Sequence, residues 1–255
     1  MAASHPLGID VGGTGIKGAP VNLKTGEFAA DRLRIPTPEK STPKAVAKVI
    51  QQIVDHFGDQ IGNAPIGVTV PAVVTHGVVR TAANIDKTWI GTDVEALLKD
   101  ELGREVVVLN DADAAGVGEL QYGAARDTRG LVLMTTLGTG IGTALLNQGV
   151  LVPNSELGHI ELDGHDAETK ASDSARDRDE LSWEKWGERL QRYYSALENL
   201  LWPDLIVVGG GVSKKADKFL PQLHLRAPIV AAQLQNAAGI VGAAWSAADR
   251  AATTK

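Results

Sequence analysis

The sequence predicts an α/β protein of two similar halves, with glycine-rich turns facing a cleft between them. Three observations carry that expectation. The run Leu7-Gly8-Ile9-Asp10-Val11-Gly12-Gly13-Thr14-Gly15-Ile16-Lys17-Gly18 is apolar, ends in an acid and opens into glycines. Leu131 to Leu137 likewise opens into glycines at Gly138-Thr139-Gly140, and Leu205 to Val208 at Gly209-Gly210-Gly211, both without the acid. When Gly13-Thr14-Gly15-Ile16 is laid over Gly138-Thr139-Gly140-Ile141, Ala19 falls on Ala144 and Asn22 on Asn147, as an internal duplication would place them.

Composition limits the classes. The 255 residues suffice for one large domain or two of ordinary size. No apolar run approaches the roughly 18 residues of a membrane span. Met1 to Pro6 lacks the basic and apolar regions of a secretory leader. There is no cysteine, which excludes disulfides and thiolate metal sites; a cytoplasmic home is expected. A net charge of −6 argues against binding polyanions, nucleic acid included, by bulk electrostatics, so a phosphate site must be local. Lys214, Lys215 and Lys218 gather after the glycine triplet, by default as a solvated helix face.

The elements follow from periodicity and punctuation. Strands are predicted over 7–12, 15–23 and 27–35, with a tight turn at Lys24-Thr25-Gly26-Glu27. Thr42-Pro43 reads as a cap and first position of a helix over 43–58, with Val46, Val49, Ile50, Ile53 and Val54 at helical spacing. A buried strand at 66–70, a hairpin around Thr75-His76-Gly77 and a polar loop from Thr81 to Trp89 come next. Thr92-Asp93-Val94-Glu95 fits a capping box opening a helix to about Leu102. The strand Glu105–Leu109 runs into Asn110-Asp111-Ala112-Asp113 and a helix to about Gln121. Residues 154–162 read as strand-like and 163–179 as an exposed loop. Ser182 caps a long helix whose stripe of Trp183, Trp186, Leu190, Tyr193, Tyr194, Leu197, Leu200 and Leu201 is core or dimer contact rather than a ligand platform. Ser213 is placed to cap a helix after the glycine triplet, and an alanine-rich helix from Gly239 closes the chain.

The residue types at the first turn suit phosphate. Glycines let backbone N–H groups approach closely, Thr14 offers a hydroxyl, Lys17 offers charge and Asp10 can orient hydrated Mg²⁺. A ligand-free β-turn is the plain alternative. Gly13 to Gly18 also fits G-x-G-x-x-G, with Asp31 where a ribose-binding acid would fall, but that fingerprint needs a helix directly after the glycines. Pro20 and the Lys24–Glu27 turn favour strand, hairpin, strand, and no P-loop pattern occurs. The Asn110-Asp111 pair sits where a strand gives way to a helix, the usual ligand position of open α/β sheets. Glycine turns facing a carboxylate suit phosphoryl transfer to a hydroxyl, which needs neutralised donor charge and a base for the hydroxyl proton.

Five motifs, Asp10 to Lys17, Asn110-Asp111-Ala-Asp-Ala, Leu137 to Gly142, Glu156-Leu-Gly-His159 and Val208 to Gly211, occur in the order found in the ROK family of sugar kinases and repressors. The chain resembles that family over nearly its whole length, and within it most resembles the polyphosphate-dependent glucokinases. The resemblance implies two ribonuclease-H-like (actin/hexokinase-like) domains, 1–110 and 111–238, with the final helix, about 239–255, packing back on the first. It implies phosphoryl transfer from inorganic polyphosphate, and also from ATP, to the 6-hydroxyl of glucose or mannose, in a homodimer whose halves close over the sugar. By the same resemblance Asp111 is the base, and Asn84, Asn110, Glu156, His159 and Glu168 contact the sugar. Asp10 orients Mg²⁺. The donor phosphates or nucleotide fall to Gly12, Gly13, Thr14, Lys17, Gly138, Thr139, Gly140, Gly209, Gly210 and Gly211.

Departures from the family qualify this. Typical members bind zinc through a histidine and a cysteine cluster; with no cysteine here, zinc is not expected, and His159 becomes a sugar contact or a structural group. The family's Pro-Gly is Pro71-Ala72. No helix-turn-helix precedes the first strand, which argues against a repressor. Asp111 and Asp113 can each be read as helix-capping or surface acids, and Glu161 rivals Glu156. In a regular strand Glu156 and His159 would point to opposite faces, so they meet one ligand only if the segment bends at Gly158. The alternatives to the kinase are a non-catalytic sugar-responsive protein of the same fold, a strictly ATP-dependent hexose kinase and an actin-like structural ATPase.

Overall fold

In the computed structural model, which describes residues 4–83 and 85–253, the first apolar run forms β1 (Leu7–Val11) and continues through the glycine turn into β2 (Ile16–Asn22). The third expected strand is broken into β3 (Glu27–Phe28) and β4 (Leu33–Ile35), which pair with opposite ends of β2. The chain then runs through α1 (Pro43–His56), α2 (Gly58–Ile61), β5 (Ile66–Val70) and the hairpin β6 (Val74–Thr75) and β7 (Val78–Val79). It continues through α3 (Val94–Leu102), β8 (Val106–Asn110) and α4 (Asp111–Tyr122). The sheet order is β3-β2-β1-β5-β8 with β4 beside β2. β1 and β2 are antiparallel, while β1, β5 and β8 are parallel. The middle strand β5 is buried at every residue, as a parallel strand covered on both faces should be.

Local chemistry sets the helix ends. Thr42 accepts from the Ala45 amide at 3.3 Å with Pro43 in the first turn, and Val46, Val49, Ile50, Ile53 and Val54 face the core. The expected capping box is corrected: Asp93, not Thr92, caps α3 by accepting from the Ala96 amide at 2.9 Å. Glu95 instead reaches the Val108 amide at 3.0 Å and the Arg250 guanidinium at 2.7 Å.

The following chain forms β9 (Leu131–Leu137), β10 (Ile141–Asn147) and β11 (Val150–Val152). Then come β12 (Glu161–Leu162), β13 (His165–Asp166), α5 (Glu168–Ala171), α6 (Asp173–Arg178) and α7 (Trp183–Leu201). Last are β14 (Leu205–Gly209) and β15 (Ile229–Ala231). The order β11-β10-β9-β14-β15 repeats the first sheet: an antiparallel hairpin followed by two parallel strands. α8 (Ala238–Thr253) returns to the first sheet, lying so close that a Cβ on Gly8 or Gly67 would strike the Ile240 or Ala243 carbonyl. The compact units are the chain up to Gln121 with Ala237 onward, and Tyr122–Asn236. The division thus falls near the end of α4 rather than before Asp111.

Three expectations are corrected in the second unit. Residues 163–179 hold β13 and two short helices instead of a loop, because Ala167, Ala171, Ser172 and Ala175 are buried beneath the charged surface. Ser213 lies inside a 3-10 turn spanning Gly211–Lys218 and donates to the Gly210 carbonyl at 2.8 Å, so it is not a cap. In α7 the buried stripe is Trp186, Leu190, Tyr193, Tyr194 and Leu197, whereas Leu200 is exposed. Among the described residues no helix is long and apolar enough to cross a membrane.

Candidate active site

The first hairpin gathers charge on a single cross-strand row. Asp10 pairs directly with Lys17 on β2 and Thr69 on β5, and Lys17 pairs in turn with Arg34 on β4. The Asp10 carboxylate accepts from Thr69 Oγ1 at 3.0 Å and forms an ion pair with Lys17 Nζ at 3.2 Å. The turn is closed by a bond from the Gly12 amide to the Gly15 carbonyl at 3.2 Å. Thr37 donates to the Gly12 carbonyl at 2.5 Å and Arg34 to the Thr14 carbonyl at 2.8 Å. Sequence patterning does not single out Thr69, Thr37 or Arg34; a threonine inside the otherwise apolar run Ile66–Val70 is the available signal for the first of them.

At the end of β8 the two polar residues divide their tasks. Asn110 caps α4: its Oδ1 accepts from the Ala112 and Asp113 amides at 2.8 and 3.1 Å, and its Nδ2 donates to the Ala72 carbonyl at 3.2 Å. Asp111 therefore need not be the cap, although its Oδ1 also accepts from the Ala112 amide at 2.8 Å. Asp113 is buried, not a surface acid. Asn84 lies outside the described residues.

The second hairpin repeats the strand pairing of the first around a shorter turn, Gly138–Gly140 against Gly12–Gly15. The Gly138 amide bonds to the Gly140 carbonyl at 3.0 Å, and Leu137 pairs with Ile141 as Val11 does with Ile16. Glu168 reaches over this turn, its Oε2 accepting from the Ile141 amide at 2.9 Å. A Cβ on Gly140 would collide with that carboxylate, while Gly138 has open space. Gly210, at φ +83°, leaves no room for a Cβ against the Leu137 backbone, and Gly209 abuts Met134; only Gly211 of the triplet is open.

Residues 157–159 form a 3-10 turn where a strand was expected. Side chains three apart eclipse in such a turn, so Glu156 and His159 share a side, with Oε2 and Nε2 3.7 Å apart. Gly158 contributes close approach, since a Cβ there would meet the Ile141 carbonyl. Thr143 pins the segment by donating to the Ser155 carbonyl at 2.7 Å and accepting from the Leu157 amide at 3.0 Å. His159 Nδ1 lies 2.8 Å from Asp166 Oδ2 and 3.9 Å from Glu168 Oε1. A carboxylate only accepts, so the bond places a proton on Nδ1. The Asp166 hydrogen bond and the surrounding carboxylates raise the His159 pKa against the opposing effect of burial. Burial raises that of Glu156. Among the described residues His159, Asp166 and Glu168 bring potential ligand atoms within 4.8 Å of one another, without a thiolate. Glu161 pairs with Asp166 on the neighbouring strand and is exposed. Asp166 is a further residue that the sequence pattern does not single out.

A model of the ROK family matches residues 6–171. The chain belongs to the ROK family. It is 51% identical over 243 residues to the polyphosphate glucokinase of Mycobacterium tuberculosis (strain CDC 1551 / Oshkosh), covering 95% of this chain and 91% of that protein. The solved inorganic polyphosphate/ATP-glucomannokinase of Arthrobacter sp. strain KM superposes with a TM-score of 0.92 at 53% identity, over 97% of this chain and 100% of that one. A ROK family glucokinase from Streptomyces griseus, solved with glucose and AMPPNP, shares the fold at a TM-score of 0.82 and 23% identity, over 96% of this chain and 100% of that one. The two repeated sheets of this ROK protein are thus those of the actin-like ATPase fold seen in ROK hexokinases.

Proposed function

We propose that the chain is a glucokinase that transfers the terminal phosphoryl group of inorganic polyphosphate to the 6-hydroxyl of glucose. ATP is a second donor and mannose a further acceptor. The 51% identity to a polyphosphate glucokinase across 95% of the chain carries this reading, and the likeness to a polyphosphate/ATP-glucomannokinase supports the pair of donors. In it, Asp111 takes the proton of the 6-hydroxyl as the sugar oxygen bonds to the terminal phosphorus. The anhydride P–O bond breaks, and the polyphosphate leaves one phosphate shorter.

Gly12, Gly13, Thr14 and Lys17, with Gly138, Thr139, Gly140 and Gly211, bind the donor; Gly209 and Gly210 shape the backbone beside them. Glu156, His159 and Glu168 hydrogen-bond the sugar hydroxyls, Asn110 fixes the start of α4, and Asn84 completes the sugar contacts. Asp10 suits an indirect Mg²⁺ contact, because each carboxylate oxygen has a described partner and keeps a lone pair for a hydrated cation. When bound, such a cation neutralises charge on the donor phosphates. The reading uses no zinc and no nucleic acid, and places a homodimer in the cytoplasm; exposed Leu200 and Trp202 at the end of α7 support a contact between copies.

The test incubates the protein with glucose and Mg²⁺ plus either polyphosphate or ATP and measures glucose 6-phosphate. Product with polyphosphate is expected, and absence of product with both donors would overturn the assignment.

A further inference from the structure

The charges around the first turn do not balance where the sequence suggests. Lys17, the cation expected to meet phosphate, is already ion-paired with Asp10 at 3.2 Å. Its direct cross-strand neighbour is a second cation, Arg34, and like charges in that position repel. Among the described residues Arg34 has no carboxylate partner; its guanidinium donates to the Thr14 carbonyl at 2.8 Å and is exposed to solvent. Arg176, Arg189 and Arg192 in the other unit are each paired with an aspartate.

The guanidinium also lies flat on the turn itself. A Cβ built on Gly15 would come within 2.6 Å of Arg34 Nε, 2.7 Å of Cζ and 2.8 Å of Nη2. Gly15 is therefore bare so that Arg34 can cross the turn, not only so that phosphate can approach. A guanidinium presents five N–H donors in a planar fork that matches phosphate oxygens, and the Thr14 carbonyl uses one.

We infer that Arg34 is a donor-binding residue: its guanidinium holds oxygens of the polyphosphate chain beside the Gly12–Gly15 turn and adds positive charge next to Lys17, whose own charge is partly offset by Asp10. The inference rests on the proposed polyphosphate-dependent activity and adds a contact that the ROK motifs do not contain.

The test combines calorimetric binding of tripolyphosphate with steady-state kinetics for Arg34→Gln, Arg34→Lys, Gly15→Ala and the Gly15→Ala/Arg34→Gln pair. Arg34→Gln is expected to weaken tripolyphosphate binding and raise the KM for polyphosphate by about tenfold, the size of one lost hydrogen bond to a charged group. The KM for glucose should stay within about twofold of wild type, and Arg34→Lys should recover part of the loss. Gly15→Ala should weaken tripolyphosphate binding alone but add little to Arg34→Gln, since both remove the same guanidinium. Unchanged tripolyphosphate affinity in Arg34→Gln would overturn the inference, as would an equal loss for glucose. A wild-type protein inactive with both donors would overturn the proposed function, while the binding measurement would still decide the role of Arg34.

Discussion

The two glycine hairpins share a strand pairing but not a charge. In the first, the row below the turn reads Thr69, Asp10, Lys17, Arg34; in the second, the matching row reads Gly209, Thr136, Gly142. The last glycine of each turn makes room for a charged side chain of opposite sign, Arg34 over Gly15 and Glu168 over Gly140. A parallel asymmetry separates the outer parallel strands: β8 ends in Asn110-Asp111, whereas β15 ends in Ala231-Ala232. The two sheets share one strand order, and the side chains that cross their turns from outside each hairpin differ: a guanidinium suited to anions over the first and a carboxylate suited to hydroxyl groups over the second.

The largest effect should come from the strand end that has no counterpart. Asp111→Asn should lower turnover with polyphosphate by about 10²-fold or more, the usual scale for a general base, while leaving the thermal midpoint close to wild type. A loss below about tenfold would return the two strand ends to equality. Next in size is a paired substitution in the second turn. Gly140→Ala forces Glu168 aside and should raise the KM for glucose by about tenfold or more, whereas Gly138→Ala enters open space and should leave it within about twofold. Equal effects at the two glycines would mean that Glu168 does not define the second turn.

The smallest expected effect is a titration. Hydrogen bonding to Asp166 raises the His159 pKa above 6.5, so an NMR titration of the wild type should show a raised imidazole value and Asp166→Asn a lower one. The charged imidazole stabilises the fold fully below about 6.5, and that contribution is lost as pH rises through the raised value. Loss of the shift in Asp166→Asn should therefore flatten stability against pH in that window. An unchanged His159 titration would separate Asp166 from the site.

The repeated sheets were legible in the sequence because apolar runs ending in glycine report strand and turn directly, as Leu7–Val11 and Leu131–Leu137 do. The electrostatic difference was not, because its determinants are remote: Arg34 lies 20 residues from its partner Thr14, and Glu168 lies 27 from Ile141. Asn110 and Asp111 were both visible, but which of them caps α4 depends on side-chain direction, which spacing does not report. The 163–179 segment reads as a loop because its charges outnumber the small buried residues Ala167, Ala171 and Ala175 that anchor it. His159 comes to the same side as Glu156 because a 3-10 turn stands where the sequence pattern suggests a strand.

In the proposed reading both glycine turns line the donor, the cations beside the first turn hold its phosphates, and Glu168, lying over the second turn, holds the sugar. Saturation kinetics of Lys17→Ala and Glu168→Gln, varying polyphosphate and glucose separately, test it most directly. A crossed pattern is expected: Lys17→Ala raises the KM for polyphosphate and spares glucose, and Glu168→Gln raises the KM for glucose and spares polyphosphate. Both constants rising together in either variant, or the reverse pairing, would contradict it.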